Sequence, residues 1–243
     1  MASISETGHA KNVANFQDLI AFVTGYGATY NPSKNGLKLP QLTALQTASQ
    51  TKLADVVAKN TSFNNAVNDR MAAFDGLKAL STRLVNALDS TDATAEKIED
   101  AKVYNRKLQG KKASSSDAPT DPNTPAPETI SASQQSYDQQ IQHFAGLISV
   151  LQTEPSYAPN ETDLKLVSLT AKQADLTAKN NAVSTAYSTI SNTRIARNKT
   201  LYDTNTGLVD TALEVKKYVK SIYGASSPEF NQVNKIQFKN LKK

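Results

Sequence analysis

An imidazole can ligate a metal or move a proton near neutral pH, and the chain carries two, His9 and His143. Neither lies three or four residues from a set of further ligands. With no cysteine anywhere in the 243 residues, a zinc site has no support. His143 flanks Phe144 on a predicted helix and reads as a boundary residue. Glu96, Glu99 and Asp100 gather where a helix begins, a place that favours carboxylates through the helix dipole. The Glu-x-x-His pair of di-iron bundles is absent. So are the phosphate-binding loop, the dinucleotide fingerprint and the nucleophile elbow. The sequence therefore predicts no catalytic residue, no cofactor, no metal and no small-molecule substrate: a chain that is not an enzyme.

The cations raise a different chemistry. Arg70 and Arg194 occupy matching places in a repeated N-x-R-x-A, inside an apolar seam. Their stems can pack while the guanidinium reaches water or a carboxylate, or they can act as polar devices that fix the register of long helices. Arg106, Lys107, Lys111 and Lys112, and Lys216, Lys217 and Lys220, fall near helix C-termini, where the dipole favours cations. A nucleic-acid surface would need interleaved aromatics, and only Tyr104, Tyr218 and Tyr223 are close. The net charge is +5, and the first 125 residues hold 14 of the 27 Lys and Arg. Neither half is a basic arm.

The elements that position these groups are helices. Gly and Pro are scarce, at nine each, and apolar residues recur in stripes. The stretch YNPSKNGLKLPQLTAL from Tyr30 returns as YAPNETDLKLVSLTAK from Tyr157. Upstream, Phe16 sits over Phe144; downstream, Ala66–Ala72 sits over Ile190–Ala196, and Lys102–Gly110 over Lys216–Gly224. Four matches in one order predict a tandem duplication. The first helical repeat spans 3–112, a Ser/Pro-rich linker 113–130, the second repeat 131–224 and a basic, apolar tail 225–243. Tyr30 and Pro32, and Tyr157 and Pro159, then mark helix-opening turns, each tyrosine packing across its turn. Pro40 fits the first turn of the helix that follows. From Leu42 to Leu88 no strong breaker appears except Gly76, and Gly207 is its counterpart in the second copy, each a place for a kink or turn. Thr91 or Asp92 can cap the helix after the break at Asp89–Lys97. The predicted fold is all-α, an elongated antiparallel bundle of two duplicated units.

SETGHAKNVANFQDLIAFVTGYGATYNPSK, SYDQQIQHFAGLI and TGLVDTALEVKKYVKSIYGASSP together make the chain resemble a family of wholly helical, internally duplicated proteins of the Bacteroidetes lineage with no known activity. The resemblance covers nearly the whole chain. It implies the fold and carries over no functional residue.

The expected function is structural: a self-assembling or scaffolding protein, as a homo-oligomer or filament. The alternatives are a nucleic-acid-binding accessory protein and a helical pore-forming toxin. No window approaches the ~18 apolar residues of a membrane span. The start shows no signal-peptide core, so the expected location is the cytoplasm. Phe230, Val233, Ile236 and Phe238 on the tail need a covering surface, either the chain's own bundle or a neighbouring subunit, and are the candidates for self-association. Val233–Ile236 fits a helical turn, whereas Ile236–Phe238 alternates like a strand.

Overall fold

The computed structural model describes residues 8–110 and 135–241. The predicted linker 113–130 lies outside them, as do Lys111, Lys112 and residues 3–7 and 131–134 of the predicted copies. Every regular element among the described residues is helical. The α-helices are α1 (His9–Gly25), α2 (Leu39–Phe74), α3 (Leu77–Asp89), α4 (Ala95–Gln109), α5 (Tyr137–Gln152), α6 (Leu166–Tyr202), α7 (Leu208–Tyr223) and α8 (Pro228–Asn234). Short 3-10 turns, Asn35–Leu37 and Thr162–Leu164, precede α2 and α6.

Each boundary has a local cause. Pro40 sits in the first turn of α2, where a missing N–H leaves no bond unmade. The helix then runs for 36 residues, about 54 Å, and stops at Phe74 because Gly76 adopts a left-handed φ of 75°. At the end of α6 the chain turns through Asp203–Gly207, with Asn205 at φ 65°, and Gly207 caps α7. Both glycines thus stand in turns and cap the helix that follows rather than bend a continuous one. The cap of α4 differs from the expectation: Thr94 accepts from the Lys97 amide at 3.4 Å. Thr91 instead donates to the Leu88 carbonyl at 2.7 Å and closes α3.

The chain divides into two compact units that cut across the predicted copies. Unit 1 comprises residues 1–63 and 186–243, and unit 2 residues 64–185. The long helices α2 and α6 therefore each give their first part to one unit and their second part to the other. In unit 1, Phe16, Leu19 and Val23 of α1 meet Leu42 of α2, Leu201 of α6, and Leu208, Val215 and Val219 of α7. In unit 2, Phe144, Leu147 and Leu151 of α5 meet Leu84 and Leu88 of α3, Leu108 of α4, and Leu169 and Leu176 of α6. Both cores follow the 3.6-residue period of a buried helix face. Gln46 is an exception on that face: it is buried, and its side-chain amide has no hydrogen-bond partner among the described residues. Leaving such a group unpaired costs about 1–3 kcal/mol. His143 is buried too, deeper than the boundary position its sequence context suggests.

Helices α4 and α5 approach closely because Gly146 has no side chain. A Cβ built there would lie 2.2 Å from a Tyr104 ring carbon, so the ring occupies the space a methyl would need. Gly146→Ala is expected to destabilise the protein by about 1–3 kcal/mol through overpacking. In a Tyr104→Ala background the same change should be neutral or stabilising, since alanine is the better helix former by about 1 kcal/mol. Thermal and urea melts of the four-member cycle check this.

Candidate interaction surface

The two tyrosine turns come first, because everything at the helix starts hangs on them. Tyr30 is buried and its hydroxyl donates to the Leu37 carbonyl at 2.7 Å. Tyr157 is buried and donates to the Leu164 carbonyl at 2.9 Å. Each bond ties the phenol to the last residue of the 3-10 turn seven positions on. Burial, with Tyr218 as a smaller contributor, pushes the Tyr30 phenol far above its ordinary pKa. Burial, then Glu161 and Asp163, pushes the Tyr157 phenol up to about 12. Pro32 is buried and Pro159 half-buried beside them. Both hydroxyls are thus engaged by main-chain carbonyls of their own turns.

An ion pair joins each turn to the helix packed against it, with opposite polarity. Lys34 meets Glu214 of α7 at 2.5 Å, and Asp163 meets Arg83 of α3 at 2.5 Å. The hydrogen bond from the Arg83 guanidinium holds the Asp163 carboxyl below its usual range.

Arg70 and Arg194 both reach an asparagine on the other long helix. Arg70 donates to Asn180 Oδ1 at 3.1 Å, and its guanidinium lies 4.0 Å over the Tyr137 ring. Asn180 in turn donates to Asp138 at 2.7 Å. Arg194 is exposed and donates to Asn60 Oδ1 at 3.4 Å. Several cations near the helix ends are exposed yet already engaged within the fold. Lys107 lies 5.5 Å over Tyr104, Lys220 lies 5.6 Å over Phe230, and Arg106 pairs with Glu99 at 3.7 Å. Lys216 is half-buried, which lowers its pKa, and donates to the carbonyls of Asn234 and Ile236.

Those carbonyls belong to the tail, which the structure places on the core of unit 1. Ser227 accepts from the Phe230 amide at 3.0 Å and caps α8, with Pro228 in the first turn. Val233 is fully buried, and Phe230, Ile236 and Phe238 pack against the same core. The helical reading holds, with α8 reaching Asn234 and the Ile236 amide donating to the Val233 carbonyl at 3.2 Å, whereas the strand-like alternation at Ile236–Phe238 forms no strand. The remainder runs back along α1, held by groups the sequence did not single out. Tyr26 donates to the Glu229 carbonyl at 2.9 Å, and Asn15 to the Gln237 carbonyl at 2.7 Å. Asn12 donates to the Lys239 carbonyl at 2.7 Å and accepts from its amide at 3.1 Å. The cap was legible in S-S-P-E; the clamps were not, because amides inside a helix carry no signal for a partner more than 200 residues away.

Beside the tail lies an open cleft of about 660 Å³, lined by Asp18, Ala21, Phe22 and Gly25 of α1, Tyr26 just after it, and Gln232 and Ile236. It gathers one carboxylate, one amide and a phenol that already donates, around an apolar floor. Such a set has no base beside a nucleophile and no converging donors for an oxyanion. Among the described residues no three His, Asp or Glu come together as metal ligands, and no helix is long and apolar enough to cross a membrane. No protein-family model, curated protein or solved structure matches the chain.

Two expectations follow from these contacts. Tyr30→Phe and Tyr157→Phe should each lower stability by about 1–2 kcal/mol, since each strips a buried carbonyl of its donor. The losses should add in the double variant, each turn lying in its own unit. Chemical denaturation of the three proteins measures them.

The second concerns His9. Its Nδ1 lies 2.6 Å from the Tyr202 hydroxyl, which accepts from Asn12 at 3.3 Å. The Asn12 bond leaves the hydroxyl proton free to serve an unprotonated Nδ1, while a protonated Nδ1 would donate to the hydroxyl oxygen instead. Burial first, and Arg197 second, hold the His9 pKa below its ordinary 6.5. A depressed folded-state pKa gives stability that is complete above about 6.5 and is lost as the pH falls through the folded value. The melting temperature should fall more between pH 7.5 and pH 5 in the parent chain than in His9→Gln.

Proposed function

We propose that the chain is a non-catalytic helical scaffold that associates with itself, built from two tandem copies of one helical plan. The duplication is supported by the twin phenol–carbonyl turns, both spanning seven residues, and by the two Arg–Asn contacts between the long helices. The fourth sequence match is no part of that support, since Lys102–Gly110 lies in and just after α4 whereas Lys216–Gly224 ends α7. Contact order supports an antiparallel course of α2 and α6 within each unit. In unit 1, Asn60 meets Arg194 and Phe63 lies 6.0 Å from Tyr187, ring to ring. In unit 2, Asp69 pairs with Lys179 and the Ala73 carbonyl accepts from Lys172. Residue numbers rise on one helix as they fall on the other. Arg70 and Arg194 then serve as register devices.

The observation that carries the self-association reading is apolar exposure on these stretches of unit 1. Val57 is 68% exposed, Tyr187 61% and Ile195 63%, next to the Asn60–Arg194 and Phe63–Tyr187 contacts. One exposed apolar residue is ordinary; we read three on adjoining stretches of α2 and α6 as a surface for a second copy of the chain. Light scattering across a concentration series tests it. The mass should rise with concentration into the oligomer range, and Val57→Glu/Ile195→Glu should lower it at every concentration with an unchanged far-ultraviolet circular dichroism spectrum. A parent chain that stays monomeric throughout would falsify the reading.

A further inference from the structure

We infer that the segment from α8 onward is an exchangeable arm, and that the face of α1 beneath it receives the same arm from a second copy of this chain. The inference rests on the self-association reading but uses a different surface from the exposed residues of α2 and α6. The arm is held from two sides: Lys216 and Lys220 of the neighbouring α7 meet it within 20 residues of sequence, and its clamps on and beside α1 lie more than 200 residues away. Val233 enters a core built by α1, α6 and α7. Asn12, Asn15 and Tyr26 hold main-chain atoms of Lys239, Gln237 and Glu229 rather than their side chains. This is how proteins bind an extended peptide: main-chain bonds hold it and apolar pockets place it. An identical arm from another copy makes the same contacts, so the exchanged and unexchanged states differ little in enthalpy.

The tether decides between them. Helix α7 ends at Tyr223, and the chain reaches α8 through Gly224–Ser227, turning at a Gly224 φ of 92°. The Ser227 amide and hydroxyl fold back on the Gly224 carbonyl at 3.4 and 3.0 Å. Only this short turn lets the arm fold back on its own chain. Exchange of an identical element through such a hinge is a low-cost route to dimers, and a hinge too short to turn favours it. Docking within one chain otherwise wins through an effective concentration in the millimolar range.

The absence of native cysteine makes the test clean. Asp18 and Gln232 both line the cleft, one on α1 and one on the arm; Gln232 Oε1 accepts from the Tyr26 hydroxyl at 3.2 Å, and its replacement leaves that hydroxyl its 2.9 Å bond to the Glu229 carbonyl. A chain carrying Asp18→Cys and a chain carrying Gln232→Cys are mixed, concentrated and treated with a short bismaleimide. A covalent dimer is expected from the mixture and not from either chain alone. Deleting Ala225 and Ser226 should lower the concentration at which it forms at least tenfold. Asn12→Ala/Asn15→Ala should suppress it. A chain carrying both cysteines reports on folding, since it closes within itself when the arm is docked. If that chain closes but the mixture yields no dimer, even with the shortened hinge, exchange is overturned. Oligomers by light scattering alongside that result would leave the self-association reading standing on α2 and α6; monomers throughout would end both.

Discussion

A buried phenol needs an acceptor, and the way Tyr30 and Tyr157 meet that need organises the rest of the protein. Each could lie in an apolar core only if its hydroxyl found a partner there. The partner is the carbonyl at the end of a 3-10 turn, Leu37 in one case and Leu164 in the other. The bond closes a loop of fixed size between a short helix and a long one. That closure sets where α2 and α6 begin, and so which faces of them enter a core. Leu42 and Leu169, fully buried just past the two turns, follow from it.

Two such turns in one chain create a matching problem, because either could pack against α3 or α7. Surface ion pairs are weak individually, about 0–1 kcal/mol, yet their signs discriminate. Lys34 faces Glu214, whereas Asp163 faces Arg83. The crossed arrangement would set Lys34 against Arg83 and Asp163 against Glu214, two repulsions in place of two attractions. Opposed polarity at otherwise similar sites specifies the pairing without asking much of stability.

How much of this was legible follows from the range of each contact. The all-helical fold showed in the apolar period of α1, α2 and α6, a signal held within each helix. The helix ends at Gly76 and Gly207 and the placement of Pro40 were equally local. So was the packing of each tyrosine across its turn. Of the tail, the helical turn at Val233 was readable, whereas the alternation of Ile236 and Phe238 marked two side chains that pack on the core of unit 1 from irregular chain, not a strand. Contacts across the fold were not readable. Nothing near Gly146 announces the Tyr104 ring, and nothing near Asn12 or Asn15 announces a chain segment to be held. Thr94 rather than Thr91 caps α4 because Thr91 was already committed to the end of α3, a competition that spacing alone does not resolve. The match of Lys102–Gly110 with Lys216–Gly224 misled for a related reason: basic, aromatic helix ends look alike whichever helix they end.

The partition of the chain also sets a timetable for its synthesis. Unit 2 is one continuous run, residues 64–185, whereas unit 1 joins residues 1–63 to those beyond 185. On a ribosome releasing the chain from its N-terminus, α1 and the start of α2 emerge long before the helices that cover them. Their apolar faces stay open while the whole of unit 2 is made. The Asn12 clamp closes across 227 positions of sequence and cannot form until Lys239 has been made. Closing so long a loop adds little entropy over closing one half as long, about 0.6 kcal/mol per doubling, so the burden is one of waiting rather than of energy. During that interval the nascent protein presents an apolar helix to whatever is near: a chaperone, or the finished arm of a neighbour on the same message.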